Sequence, residues 1–417
     1  MNKIEIMAPV GNYESLAAAI KAGADSVYFG VGKLNMRSAS SFNFTLNDLK
    51  KIVKICKENN IKTYLTLNSV MYDEDMNEIK KIADCAKKQG INAVIACDMA
   101  VINYATQINL PVHMSTQANI SNIEAVKFYS KFADVVVLAR ELNLNQIKKI
   151  SDEIKKQKIH GPNGNLVKVE IFIHGALCVS ISGKCYMSLA QYNKSANRGE
   201  CLQACRRKYK VIDDETGDEL IVDNNYIMSP KDLCTIRFIP EIIKSGASVL
   251  KIEGRGRSPD YVYVVVKAYK EVIESYFNKT FSKEKVDKWE KELASVFNRG
   301  FWHGGYYLGN KLGEWSGIYG SNSEIEKHFI GVVRHFFSKT KIAEIEMQKE
   351  SVKVGDEILI TGNKTGVLKF KLGSIYVNEK PAQTAKKTNK DVTISVPEIV
   401  RNNDKVYVLK KRRKMLK

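Results

Sequence analysis

Short apolar runs alternate with longer amphipathic stretches through the first two-thirds of the chain. Eight runs have the length and β-branched content of buried strands: Ile4–Ala8, Val27–Gly30, Lys62–Asn68, Ala93–Cys97, Val112–Ser115, Val135–Ala139, Val169–His174 and Val249–Glu253. Between them apolar residues recur at helical spacing, as in Tyr13–Ala22, Leu46–Asn59, Met76–Lys88 and Leu144–Lys156. Strands that alternate with helices call for a parallel sheet covered by those helices. Eight such units predict an α/β fold of TIM-like (β/α)8 barrel type, with a doubly wound open sheet as the alternative. Two more helical patterns follow, Ser258–Tyr276 and Lys283–Phe297. From about His328 the period changes to two. The runs IGVVRHF, IAEIEM, DEILITG, VTISV and KVYVLK alternate Val or Ile with charge, and Gly, Asn or Asp stand between them. That predicts a small antiparallel all-β barrel or sandwich. The changes of period divide the chain into a barrel at 1–280, a helical and glycine-aromatic connector at 281–325, a β domain at 326–410 and a basic, mobile tail at 411–417.

Barrels of this kind carry their chemistry at the C-terminal ends of the strands. Here those ends read Pro9-Val10-Gly11, Gly30-Val31-Gly32, Asn68, Cys97-Asp98, Ser115-Thr116-Gln117, Arg140-Glu141, His174-Gly175 and Glu253-Gly254-Arg255. The seventh end opens into an enlarged loop, 174–235, that holds Cys178, Cys185, Cys201 and Cys205, with Cys234 after an insertion. Soft thiolates this close together select zinc or an iron–sulfur cluster, and the spacings C-x6-C and C-x3-C leave both open. Cys56 and Cys85 fall on apolar helix faces, and Cys97 on a strand end, where packing is the simpler use. His174 precedes Cys178 by four residues, a pairing that could serve a thiol protease or could merely tie down the loop backbone. No H-E-x-x-H, G-x-S-x-G or P-loop occurs, and Gly30-Val31-Gly32 lacks the third glycine of a dinucleotide fingerprint.

Charge changes the picture. The 417 residues carry a formal net charge of +19, which favours a polyanionic partner such as RNA. Arg140, Arg198, Arg206, Arg207, Arg255 and Arg257 fall at or beside the predicted mouth, and a guanidinium fork grips carboxylate or phosphate bidentately. Lys251, Glu253 and Arg255 alternate along the eighth strand and so share one face. Gly254 and Gly256 would let a ligand approach the backbone beside Arg255. The stretch NRGFWHGGY sets aromatics beside Arg299, either to stack an unpaired base or to pack a turn on the barrel. No apolar run is long enough for a membrane span, and the opening MNKIEIMAPVG is too short for a signal peptide. A cytoplasmic location is therefore expected, where clustered cysteines bind metal rather than form disulfides.

Several of these stretches together resemble one family. H-G-A-L-C-x6-C-x-x-S, N-R-G-x-C-x-x-x-C-R, MSPKDLC, LKIEGRGRSPDYV, NRGFWHGGY and the opening APVGNYESLAAAIKAGADSVYFG are similar to peptidase family U32, the collagenase-like proteases. The nearest resemblance is to its tRNA-hydroxylating branch, which makes 5-hydroxyuridine at the wobble position using prephenate. That resemblance implies a [4Fe-4S] cluster on Cys178, Cys185, Cys201 and Cys205. Cys234 is the alternative to Cys205, because ubiquinone-hydroxylating relatives use a cysteine after a similar insertion. At the predicted mouth, Arg140, Arg198 and Arg255 are the candidates to bind the prephenate carboxylates, with Gln117 near the base and His174 and Glu253 as candidate catalytic residues. The β domain and tail would then hold the tRNA body through phosphate contacts. Two other readings remain: a U32-type peptidase, and a non-enzymatic RNA-binding protein stabilised by zinc.

Overall fold

A computed structural model describes residues 4–181, 183–220, 226, 228–309 and 314–412. Eight parallel strands close on themselves: β1 (Glu5–Pro9), β2 (Ser26–Gly30), β3 (Lys62–Leu67), β4 (Ala93–Ala96), β5 (Val112–Met114), β6 (Val135–Val137), β7 (Lys168–Gly175) and β8 (Val249–Ile252). Each pairs with the next, and β8 pairs with both β7 and β1, so the sheet is a barrel. The open-sheet alternative is thereby excluded. The strands are buried on both faces, which is why they read as continuous apolar runs rather than alternating ones.

Helices α1 (Tyr13–Lys21), α2 (Asp48–Glu58), α3 (Met76–Gln89), α4 (Met99–Gln107), α5 (Ile123–Tyr129), α6 (Leu144–Lys156), α7 (Ile239–Lys244) and α8 (Pro259–Phe277) form the outer ring. Their starts follow side-chain capping: Asn12, Asp98, Asn122 and Asn143 each accept a backbone N–H from the first turn. Between β7 and α7 the cysteine loop returns through a short strand, Asp232–Cys234. It pairs antiparallel with the end of β7 and parallel with Phe301–Trp302. The loop is thus held over the mouth by backbone ladders at both ends. Helix α9 (Lys283–Ala294) packs beside α8.

The remaining strands are antiparallel: β9 (Ile325–Phe337), β10 (Ile342–Met347), β11 (Glu357–Gly362), β12 (Gly366–Lys371), β13 (Ile375–Val377), β14 (Lys380–Ala382), β15 (Val392–Ser395) and β16 (Lys405–Lys411). They form one eight-stranded sheet in the order β12-β11-β16-β9-β10-β15-β13-β14, around a core of its own. Leu359 and Val367 reach out of that core into the barrel's. Lys405–Glu14 at 2.8 Å, Lys21–Glu398 at 2.7 Å and Lys327–Asp260 at 2.6 Å fasten the two bodies at α1 and α8. Lys411, expected in the tail, ends β16, and residues 413–417 lie outside the described residues. Among the described residues no helix is long and apolar enough to cross a membrane.

Candidate active site

The ends of the barrel strands converge on one cavity. It is lined by Tyr28 from β2, Thr66 and Asn68 from β3 and its end, Ser115, Thr116 and Gln117 after β5, Arg140 after β6, Phe172 of β7, and Lys251, Glu253 and Arg255 from β8 and its end. Met36 and Arg37 of the β2–α2 loop, with Cys178 and Gly183 of the cysteine loop, close it. Asn68 ties these pieces together. Its side chain accepts from the Met36 N–H at 3.3 Å and reaches Ser115 Oγ at 3.4 Å, and its carbonyl accepts from Gln117 Nε2 at 3.2 Å. Ser115 Oγ in turn donates to Gln117 Oε1. A β-carbon on Gly30 would stand 2.5 Å from Arg255 Nη1, so only glycine there leaves room for the guanidinium. The glycines flanking that arginine have another use than the one expected. Side chains on Gly254 and Gly256 would meet Tyr261 and the Ser40 carbonyl, so they pack the loop against its own chain rather than admit a ligand.

Lys251, Glu253 and Arg255 do share the cavity, as the alternation predicted, but in three different electrostatic states. Lys251 Nζ donates to the fully buried Glu170 at 2.8 Å. Glu253 receives Arg37 Nη2 at 2.9 Å and Nε at 3.3 Å. Burial pushes the Glu253 carboxyl up, but Arg37, with Arg257 and Arg140, more than offsets this and holds it below the usual carboxylate range. Arg255 is 5% exposed and donates through Nη1 to the neutral Thr66 hydroxyl at 2.8 Å. Among the described residues it has no ion pair, and burial lowers it to about 10, still a cation at neutral pH. Arg140 lies 3.9 Å over the Phe172 ring and donates through Nη1 to the Ala176 carbonyl at 3.3 Å, while its buried Nε has no partner. Two guanidinium groups therefore line a buried cavity with donor capacity left over. An anion between them would use it.

Arg37 is the lining residue that sequence reasoning missed. It lies in a loop with no motif, and only the ends of the strands themselves carried a signal. Conversely, five expected residues do not face the cavity, among them Arg257, whose guanidinium lies 3.6 Å over the Phe297 ring. Arg198 is bound to Asp75, with contacts of 2.5 and 3.2 Å, and to the Val70 carbonyl at 2.8 Å, with its plane on Tyr72. Arg206 holds the loop together through Ser229 Oγ and the Pro230 and Leu177 carbonyls, and Arg207 stacks on Tyr192. His174, expected at the chemistry, is buried among Tyr261, Tyr269 and Phe301, with Nδ1 3.3 Å from Tyr269 Oη. Burial lowers it to about 3, so it is a neutral packing residue outside the cavity. The aromatics of NRGFWHGGY also pack inward: Trp302 is buried against Tyr306, and the half-buried Phe301 lies against His174, while the adjoining Tyr307 donates through Oη to the Phe172 carbonyl at 2.7 Å.

The cysteines separate into two sets. Burial raises the Cys205 thiol, and nearby Cys178, Cys201 and Cys185 raise it further, so these four sulfurs sit within one another's field. Thiolates gathered this way repel, and a cationic metal core between them would remove that repulsion. Among the described residues no group of three His, Cys, Asp or Glu side chains is drawn together as around a single metal ion. Cys234 is fully buried beneath the loop, and burial pushes its thiol up to about 12. Cys56 and Cys97 are likewise raised to about 12 by burial, as expected of packing residues.

Comparison with known proteins accords with this geometry. The model for Peptidase family U32 matches residues 11–317. A collagenase of Porphyromonas gingivalis strain W83 is 52% identical over 414 residues, 99% of each chain. The tRNA hydroxylation protein P1 of Bacillus subtilis strain 168 is 31% identical over 372 residues, 86% of this chain and 84% of that one. A 23S rRNA 5-hydroxycytidine synthase of Escherichia coli K12 is 32% identical over 278 residues, 66% of this chain and 40% of its own length. With a family model spanning the barrel, the cysteine loop and the glycine-aromatic stretch, this chain belongs to peptidase family U32.

Proposed function

We propose that this protein is an iron–sulfur RNA-modifying enzyme that hydroxylates uridine of tRNA at the wobble position, with prephenate as the hydroxyl source. The observation that carries the reading is the pair of under-used guanidinium groups, Arg140 and Arg255, lining one cavity beside Cys178. A small dicarboxylate supplies the two anionic ends that such a pair accepts. Cys178, Cys185, Cys201 and Cys205 would hold a [4Fe-4S] cluster, which supplies redox or Lewis-acid chemistry when bound. Arg37 keeps Glu253 ionised and aimed across the cavity, and Ser115 with Gln117 offers the amide edge that a pyrimidine base requires. Relatives named for hydroxylation of tRNA and of rRNA support an RNA substrate, as does the net charge of +19.

The relative named collagenase keeps a peptidase reading in view. That chemistry needs an activated nucleophile or a catalytic metal, and among the described residues the cavity lining contains no histidine to activate Cys178 as a nucleophile. The test is nucleoside mass spectrometry of tRNA from a strain lacking the gene, alongside iron and sulfide analysis of protein purified without oxygen. Loss of 5-hydroxyuridine derivatives and about one cluster for four thiolates are expected. Unchanged tRNA, or a colourless zinc protein, would remove the reading.

A further inference from the structure

We propose that the rim of the barrel mouth is a stacking platform for single-stranded RNA, built from Phe42, Tyr186 and Tyr72. This rests on the RNA-modifying reading and extends it to the surface that delivers an unpaired base. The three rings stand on the three loops that close the cavity. Phe42 is in the β2–α2 loop that supplies Met36 and Arg37, Tyr72 follows Asn68 after β3, and Tyr186 adjoins Cys185, three residues past Gly183. Large aromatic side chains normally find cover, yet Phe42 is 81%, Tyr186 79% and Tyr72 49% exposed. The loops are joined to each other, so the rings move with the cavity. The Ala39 N–H donates to the Gly199 carbonyl at 3.3 Å, and the Val70 N–H to the Asn197 carbonyl at 3.0 Å.

The charge around the rings selects the partner. Residues 176–210 carry seven Lys or Arg against the single acid Glu200, and residues 31–44, around Phe42, carry Lys33 and Arg37 with no acid; Tyr72 differs, being followed by Asp73, Glu74 and Asp75, the last of which is paired with Arg198. Lys33, Lys184, Lys194, Arg207 and Lys208 are exposed. Exposed rings interleaved with cations are what unpaired nucleotides need: each base has a face to stack, and each phosphate a cation. A duplex hides those faces and could use only the cations. Arg198 is the positioning residue of the set, since its guanidinium, 4.2 Å behind the Tyr72 ring and anchored to Asp75, backs that ring. This gives the arginine that fails to reach the cavity a role at its rim.

The test is fluorescence anisotropy with a labelled single-stranded oligouridylate and, separately, a labelled RNA duplex, on full-length protein at several salt concentrations. Phe42→Ala and Tyr186→Ala should each weaken single-strand binding roughly 5- to 100-fold. Duplex binding, the salt slope and the melting temperature should stay as in the wild type, because an exposed ring makes no core contact and carries no charge. Phe42→Trp should retain binding. Unchanged single-strand affinity in both Ala variants, an equal loss on the duplex, or no binding by the wild type would overturn the platform. Because the assay needs no turnover, the two readings fail separately. Stacking without any missing nucleoside removes the enzyme and keeps the platform; a missing nucleoside without stacking does the reverse.

Discussion

The floor and the mouth of this barrel treat buried charge in opposite ways. In the floor, Glu5 receives Lys62 at 2.6 Å and Tyr64 Oη at 2.7 Å, and Glu170 receives Lys251 at 2.8 Å. Every one of these carboxylates has a partner close by, as the cost of a lone charge in low dielectric requires. At the mouth, Arg255 has a neutral hydroxyl and Arg140 a carbonyl and a ring. At the mouth Glu253 is already taken by Arg37, so among the described residues Arg255 and Arg140 are left without a carboxylate, and that surplus of cations marks where the fold leaves room for an outside anion. A site prepared for a ligand gives up stability that the ligand restores on binding.

The largest effect that would sharpen this contrast concerns the metal. Cys178→Ala, Cys185→Ala and Cys201→Ala should each lose iron and sulfide almost completely, whereas Cys234→Ala, a change in the packed layer below, should keep both. Full iron in Cys178→Ala would break the division between loop and core thiols. Next comes the floor. Glu170→Ala strands Lys251 as a buried cation and should cost about 3–5 kcal/mol of unfolding free energy, measured by denaturant titration. Replacing both partners, Glu170→Leu with Lys251→Met, should recover much of that loss.

The mouth should respond in the opposite sense. Arg255→Met removes an unpaired charge, so the melting temperature should hold or rise while use of the carboxylate co-substrate falls. Arg255→Lys keeps the charge but loses the fork, and a charge-assisted bond of about 1.5–3 kcal/mol translates to roughly a 10- to 150-fold drop in kcat/KM. Activity that merely tracks lost iron would show that Arg255 supports the loop instead.

A further effect, confined to acid pH and small near neutrality, is a pH dependence of stability from His174. Its folded value, about 3, lies below the ordinary histidine value near 6.5, so the unfolded chain binds more protons between those limits. Its contribution is therefore fully present above about pH 6.5 and is lost as pH falls toward 3, by up to about 1.4 kcal/mol per pH unit. His174→Asn should flatten the acid limb of the stability curve by that amount. An unchanged limb would mean that the imidazole is not held neutral in the folded protein.

Periodicity along the chain was enough to determine the eight strand–helix units, the β domain after them and the strand end at which the cysteine loop opens, whereas closure of the sheet was decided by β8 pairing with both β7 and β1. The former depend on residues a few positions apart, whose spacing the backbone geometry reads directly. The same locality made the four cysteines and the alternation of Lys251, Glu253 and Arg255 legible. Ion pairing is not local. Arg198 meets Asp75, 123 positions away, and Arg37 meets Glu253, 216 positions away. Which arginine is spent on structure and which is left for a ligand was decided only when barrel closure brought those carboxylates within reach. His174 lies outside the cavity for a similar reason, because α8 lays Tyr261 and Tyr269 against it. The aromatics differ likewise: of those grouped in sequence at 298–306, Trp302 is buried and Phe301 and Tyr306 pack against the barrel core, whereas Phe42, Tyr72 and Tyr186 stay exposed.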